Sequence, residues 1–284
     1  MNNPRVVLIT GASTGIGLAT AALLTVRGYR VFGTSRHPDK YPAKNFLLLP
    51  LDVREDQSVK TCVDEVLNRA GRIDVLINNA GGSLSGAVEE ASIDEAKQLF
   101  ETNFFGALRM VNAVLPTMRR QGSGHIINMS SLAGMVGVPY IGLYSASKHA
   151  LEGYSEALRY EVKQFGVRVS LIEPGDARTA IADLTPAPAQ CIADYDGVRE
   201  QVNAIHSANV ANGTAPEVIA HALVGLIEKP RAGLRCTITK GTETLMPLAR
   251  RLLPYGVLEQ NLRGYYKLDV KSRKPETVGH DIEG

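Results

Sequence analysis

Short runs of consecutive Val, Ile and Leu alternate along the chain with longer segments whose apolar residues recur every three or four positions. This alternation predicts parallel strands joined by crossover helices. Six strands fall over 6–9, 29–34, 46–51, 73–77, 125–129 and 167–172. Their nearly continuous apolar character suits a sheet covered by helices on both faces. Ile16, Ala19, Leu23 and Leu24 give the first helix its buried stripe, and further helices are predicted over 57–70, 93–119 and 144–165. Gly106 and Pro116 are the positions where the long helix should bend or shorten. Glu173-Pro174-Gly175 should stop the sixth strand.

The last third is less regular. A stretch over 176–212, mixed in Pro, Ala and Asp with patchy helical character, leaves a strand's carboxyl end, where binding loops of α/β domains arise. A helix over 216–227, a seventh strand over 234–238 and short helices over 245–258, interrupted by Pro247 and Pro254, complete the pattern. The expectation is one doubly wound α/β domain over 1–269 with a seven-stranded parallel sheet. It would include a substrate loop at 176–212 and a C-terminal extension at 241–269, followed by a polar tail at 270–284.

Composition changes this picture mainly by exclusion. A net charge of +2 over 284 residues, with both signs interspersed, offers no electrostatic footprint for nucleic acid and favours a small-molecule partner. Cys62, Cys191 and Cys236 are odd in number and far apart, so neither a disulfide framework nor a metal site is expected. The first apolar run covers four residues, too short for a signal-peptide core or a membrane span, and the cytoplasm is the expected location.

Three features carry candidate chemistry. Tyr144 and Lys148 lie one helical turn apart on one face, and of ten tyrosines only Tyr144 has a lysine at that offset. A free phenol titrates near ~10, and an adjacent ammonium would make its phenolate accessible. The turn Thr10-Gly11-Ala12-Ser13-Thr14-Gly15-Ile16-Gly17 follows the first strand and opens a helix, the context in which glycines and free N–H groups cradle a pyrophosphate. Ser35 and Arg36 stand at the end of the second strand, where an acidic residue would select NAD. A guanidinium there suits the 2′-phosphate of NADP. Asp52, beside Val53 at the end of the third strand, is either an acceptor for the adenine amino group or a helix cap.

In their order and spacing these motifs resemble the short-chain dehydrogenase/reductases over roughly residues 5 to 240. The stretch from Thr10 to Gly17 is similar to the family's cofactor motif, and Asn78-Asn79-Ala80-Gly81 to its Asn-Asn-Ala-Gly. Tyr144 and Lys148 match Tyr-x-x-x-Lys, with Ser131, thirteen residues upstream, as the expected serine and Ser130 as its neighbour and competitor. Asn103 matches the helix asparagine, and Pro174, Gly175 and Thr179 match the segment bordering the nicotinamide. The resemblance implies a Rossmann-type fold, hydride transfer between NADP(H) and a carbonyl or secondary alcohol, and a homodimer or homotetramer. It also implies roles: Tyr144 exchanges the proton, Ser131 stabilises the oxyanion, Lys148 tunes Tyr144 and holds the ribose, and Asn103 anchors a relay water.

Residues 82–85, 135–140 and the segment after Gly175 should form the mouth, and they lean apolar. With a weaker resemblance to hydroxysteroid and retinol dehydrogenases, they point to a hydrophobic ketone, while Arg178 and Asp183 would serve a polar substrate. The competing readings are an NADPH-binding regulator without turnover, a hydroxysteroid/retinol-type dehydrogenase using NAD, and a nucleotide-sugar epimerase, for whose second lobe there is little room.

Overall fold

In the computed structural model, which describes residues 4–179 and 185–268, seven strands form one parallel sheet. They are β1 (Val6–Ile9), β2 (Arg30–Ser35), β3 (Leu47–Pro50), β4 (Val75–Asn78), β5 (Gly124–Met129), β6 (Val167–Pro174) and β7 (Arg235–Ile238). Their order is β3-β2-β1-β4-β5-β6-β7, so the winding reverses beside β1, and the carboxyl ends of β1 and β4 flank the switch point where open α/β sheets bind ligands.

The period of two along β1 divides the core. Val6 and Leu8 join one buried cluster with Val59, Val63 and Val66 of α2 (Asp56–Ala70). Val7 and Ile9 join another with Ala21 and Leu24 of α1 (Gly15–Val26). The predicted long helix is divided into α3 (Ile93–Phe100), a π-helical turn (Glu101–Phe105) and α4 (Gly106–Gln121). Gly106 sits where a Cβ would come within 2.7 Å of Val53, so the start of α4 lies tight against the connection between β3 and α2. Pro116 remains inside α4 without ending it. β6 also outruns its expected stop, because Glu173 and Pro174 pair with Thr237 and Ile238 of the edge strand β7.

α5 (Gly142–Val162) crosses to β6. The patchy segment contains a full helix, α6 (Asp196–Ala211), in which Val202 alone is buried, so its apolar signal was weak. α7 (Pro216–Glu228) packs on α1, and α8 (Met246–Leu252) and α9 (Tyr255–Tyr265) are the expected short helices. The polar tail at 270–284 lies outside the described residues.

His125 ties β5 to β6. Its Nε2 lies 3.0 Å from Ser170 Oγ, and burial, reinforced by Arg168, Arg5 and Arg159, pushes its pKa down to about 3. The unfolded chain takes up a proton below about 6.5 that the folded chain refuses until about 3. This contribution is therefore complete above the unfolded value and is lost as pH falls, at about 1.4 kcal/mol per pH unit. Urea unfolding of His125→Asn between these limits should show a stability slope shallower than the parent's by one proton; equal slopes would contradict the assignment.

Candidate active site

The turn between β1 and α1 is shaped for glycine. Gly11 (φ +65°) and Gly15 (φ +56°) occupy the left-handed region, and a Cβ on Gly17 would collide with Gly11 O and Asn79 Nδ2. The Thr14 side chain, at the α1 N-cap, makes no capping hydrogen bond, and the first turn of α1 carries no acid. Its N–H groups and the dipole behind them are thus available to an anion. Ser13 and Ile16 are half-buried and Thr14 exposed, while Thr179 brings its side chain within 3.5 Å of a Cβ built on Gly15. A crowded turn of this kind, with donors free and no room for side chains, fits a dinucleotide pyrophosphate.

β4 is stapled to this turn. The Thr10 hydroxyl accepts hydrogen bonds from Asn79 N and Ala80 N, both at 2.9 Å. Asn79 Nδ2 donates back to Thr10 O at 3.0 Å and Gly11 O at 2.9 Å. The side-chain donors of Asn79 are therefore occupied in shaping the cradle.

At the end of β2, Ser35 is buried and accepts from His37 N at 3.3 Å, while Arg36 is exposed. Asp52 is gripped by Arg54, whose nitrogens donate to its two oxygens at 2.6 and 2.9 Å. This hydrogen bond is the main influence holding the Asp52 carboxyl below its usual range, with Arg36 contributing charge. Asp52 does not cap α2, whose N-cap is Glu55. Val53 turns its side chain into the core.

β5 ends at Met129, and the chain passes through Ser130 and Ser131 into a 3₁₀ turn (Leu132–Gly134). Ser131 Oγ caps that turn, accepting from Ala133 N at 3.1 Å and donating to Pro174 O at 3.4 Å, and it lies near enough to the Tyr144 phenol to draw its pKa down. Ser130 points elsewhere: its buried Oγ lies with Lys148 Cβ and Glu152 Cγ around Gly134. Lys148 is 5% exposed, donates from Nζ to Met129 O at 2.7 Å, and lies 5.6 Å from the Tyr144 ring centre.

The electrostatics here differ from what the four-residue spacing suggests. Burial pushes the Tyr144 phenol up, the Ser131 hydroxyl opposes it, and the charge of Asp176 adds to the rise. Lys148 is itself pushed down to about 8 by burial, against the pull of Glu152. Lys148 therefore does not bring the phenol below its ordinary value in this structure.

Asn103 sits in the π-helical turn and closes the group. Its Oδ1 accepts from Gly82 N at 2.8 Å, and its Nδ2 donates to Gly82 O and Ser147 Oγ, each at 3.0 Å. A Cβ on Gly81 would stand 3.2 Å from Asn103 Oδ1 and 3.7 Å from Lys148 Nζ, so Asn103, Gly81 and Lys148 converge.

Across from α5, the end of β6 presents Pro174 and Gly175, with Glu243 so close to Gly175 that a Cβ there would collide with it. Asp176 N donates to Glu243 Oε1 at 3.1 Å, and burial beside Glu243 pushes the Asp176 carboxyl up. The charge of Asp176 reaches both Tyr144 and Tyr266. Tyr266 in turn meets His206 at 5.1 Å with the rings tilted by 43°, and Tyr140, in the left-handed region, meets Tyr195 at 6.5 Å. Arg178 is exposed and Asp183 lies outside the described residues. Sequence reasoning missed Asp176 and Glu243, which meet only through the fold. Glu152 could have been found, standing four residues beyond Lys148 on the same face.

A doubly wound sheet with a glycine cradle at its switch point, and a tyrosine and lysine on the helix beside it, defines a dinucleotide-dependent class of α/β protein. The short chain dehydrogenase family matches residues 5–188. The 3-ketodihydrosphingosine reductase of Bacteroides thetaiotaomicron is 38% identical over 268 residues, spanning 93% of this chain and 99% of that protein. Human retinol dehydrogenase 8 is 35% identical over 254 residues, 82% of this chain and 80% of that one. A short-chain dehydrogenase structure from Streptomyces avermitilis superposes with a TM-score of 0.76 at 31% identity, covering 94% of this chain and 98% of that one. The chain belongs to the short-chain dehydrogenases, and it is an oxidoreductase of that nicotinamide-dependent family.

Proposed function

We propose that this enzyme is an NADPH-dependent carbonyl reductase for hydrophobic ketones, reversible as an alcohol dehydrogenase. The observation that carries the reading is the Tyr144 phenol between Ser131 and buried Lys148, whose Nζ lies 5.6 Å from the Tyr144 ring centre, on the cradle's side of the sheet. When bound, the nicotinamide supplies the hydride to the carbonyl carbon. Tyr144 donates its phenolic proton to the carbonyl oxygen, and a phenol pushed up by burial is in the acid form that reduction needs at neutral pH. Ser131 donates to the same oxygen as charge develops on it. Lys148 holds the nicotinamide ribose, and Asn103 fixes the loop at Gly82 that borders Lys148 and anchors the relay water.

Cofactor choice rests on Arg36, exposed after β2 where an acidic selector would stand. For Arg36→Ala, the ratio of NADPH to NADH affinity should fall about 10- to 100-fold, the worth of one charge-assisted phosphate contact, in a titration of both cofactors. An unchanged ratio would remove the assignment. The aromatic pairs Tyr140–Tyr195 and His206–Tyr266, and the names of the two relatives above, support a hydrophobic ketone or alcohol. None of the described helices is long and apolar enough to cross a membrane. We place the enzyme in the cytoplasm as a homodimer or homotetramer built on the helices from Ile93 and from α5, where Phe105 and Tyr160 are exposed.

A further inference from the structure

Behind Lys148 the same face of α5 continues into a buried acidic pair that the proposed reaction does not use. Glu152, one turn beyond Lys148, is 7% exposed, and Glu173 on β6 is fully buried. Arg235, on the edge strand β7, donates from Nε to Glu152 Oε2 at 3.1 Å and lies 3.2 Å from Glu173 Oε1. Thr237 Oγ1 donates to Glu173 Oε2 at 2.6 Å. Glu152 Oε1, Glu173 Oε1 and Ser130 Oγ have no hydrogen-bond partner among the described residues. Two buried carboxyls served by one guanidinium cannot both remain charged at low cost. Burial accordingly pushes both up, and the charge of Glu152 adds to the rise of Glu173.

The two members are not equivalent. Glu173 is the more deeply buried and is held by Thr237, whereas Glu152 receives the aligned Arg235 hydrogen bond, stands one turn from Lys148 on the same face of α5, and its charge reaches Lys148. The groups facing Lys148 are the Tyr144 phenol and Glu152 from α5, Met129 O from β5 and Asn103 from the π-helical turn. Those facing Glu152 are Lys148 from α5, Ser130 from β5, Glu173 from β6 and Arg235 from β7, with Glu156 reaching Arg235 at 3.7 Å. Glu152 is the carboxylate in this set that favours a charged Lys148.

Building on the function proposed above, we propose that Glu152 is a positioning residue acting through Lys148. Fixed by Arg235 while Glu173 keeps the proton the pair must share, its carboxylate holds Lys148 as an ammonium in a site that would otherwise neutralise it. The lysine then keeps its charge for the nicotinamide ribose across the neutral range.

The test is a pH titration of the Lys148 ε-methylene by carbon-13 NMR, assigned with Lys148→Arg, alongside pH profiles of ketone reduction. In Glu152→Gln the midpoint should fall by about one pH unit, and the alkaline limb of kcat should move down with it. In Glu173→Gln and Thr237→Val the midpoint should stay or rise, because Glu152 then keeps its charge. Should Glu152→Gln fail to fold, the unmodified chain decides: Lys148 must show a second, smaller inflection on the acid side where Glu152 titrates. A midpoint unmoved in Glu152→Gln, a fall in all three variants, or a single inflection in the unmodified chain would overturn the proposal. The NMR readout needs no turnover, so a chain that reduces no ketone yet shows these shifts would fail as a reductase without failing here.

Discussion

Tyr144→Phe should lower kcat for ketone reduction by about 10²- to 10⁴-fold, the usual worth of a positioned proton donor. The substitution removes one oxygen from a half-buried ring at the start of α5 and leaves the helix intact. NADPH affinity should therefore change little, because the cradle and Lys148 remain. The loss should fall on kcat and kcat/KM together, the pattern of an interaction made in the transition state. Ser131→Ala should reproduce part of the loss, since its hydroxyl is placed to meet the same oxygen beside Tyr144. Steady-state kinetics with matched cofactor titrations make the check. Full activity in Tyr144→Phe would reassign the proton to another group.

Gly17→Ala should cost the cradle itself. Its Cβ would collide with Gly11 O and Asn79 Nδ2, the two groups whose hydrogen bond at 2.9 Å staples β4 to the turn. Relief requires α1 to move away from the sheet, because one of the opposing groups is backbone. Overpacking of this sort destabilises by about 1–3 kcal/mol, and cofactor affinity should fall at least tenfold as the turn opens. Gly225→Ala is the matching control, since a Cβ at that position in α7, away from the proposed subunit interface, meets nothing within 4 Å. It should gain up to about 1 kcal/mol from helix propensity. Chemical denaturation and NADPH titration of both variants separate a local collision from a general intolerance of alanine. Native affinity in Gly17→Ala would show that the cradle does not hold the cofactor.

The sheet was legible because its strands announce themselves as short apolar runs with a helical period between them. What the pattern hid has local physical causes. The π-helical turn at Glu101–Phe105 keeps a helical apolar period, so the break shows only in three dimensions, where Gly106 meets Val53. β6 runs through Pro174 because it gains β7 as a neighbour, a long-range pairing no local stop signal reveals. α6 buries Val202 alone and left little stripe to read. In the candidate site, Tyr144, Lys148 and the glycine turn were readable as spacings within single elements. Ser131 was expected over Ser130 from its spacing to Tyr144, but that Ser130 packs against Lys148 and Glu152 farther along α5 was not readable, since it depends on how the turn after β5 meets that helix. Nor was the upward push on the phenol, which comes from burial and from Asp176, brought there by the fold. Arg54 likewise claims Asp52 through a contact between neighbours whose side chains the strand period alone would send to the same face.

In this site a hydride should reach a ketone carbon while Tyr144 supplies the proton. Incubating the wild-type enzyme with NADPH carrying deuterium at nicotinamide C4 and a panel of hydrophobic ketones, and analysing the alcohols by mass spectrometry, tests it most directly. The expected result is one deuterium on the carbinol carbon for at least one ketone, with that product lost in Tyr144→Phe. Tight NADPH binding with no deuterated alcohol from any member of the panel would contradict it.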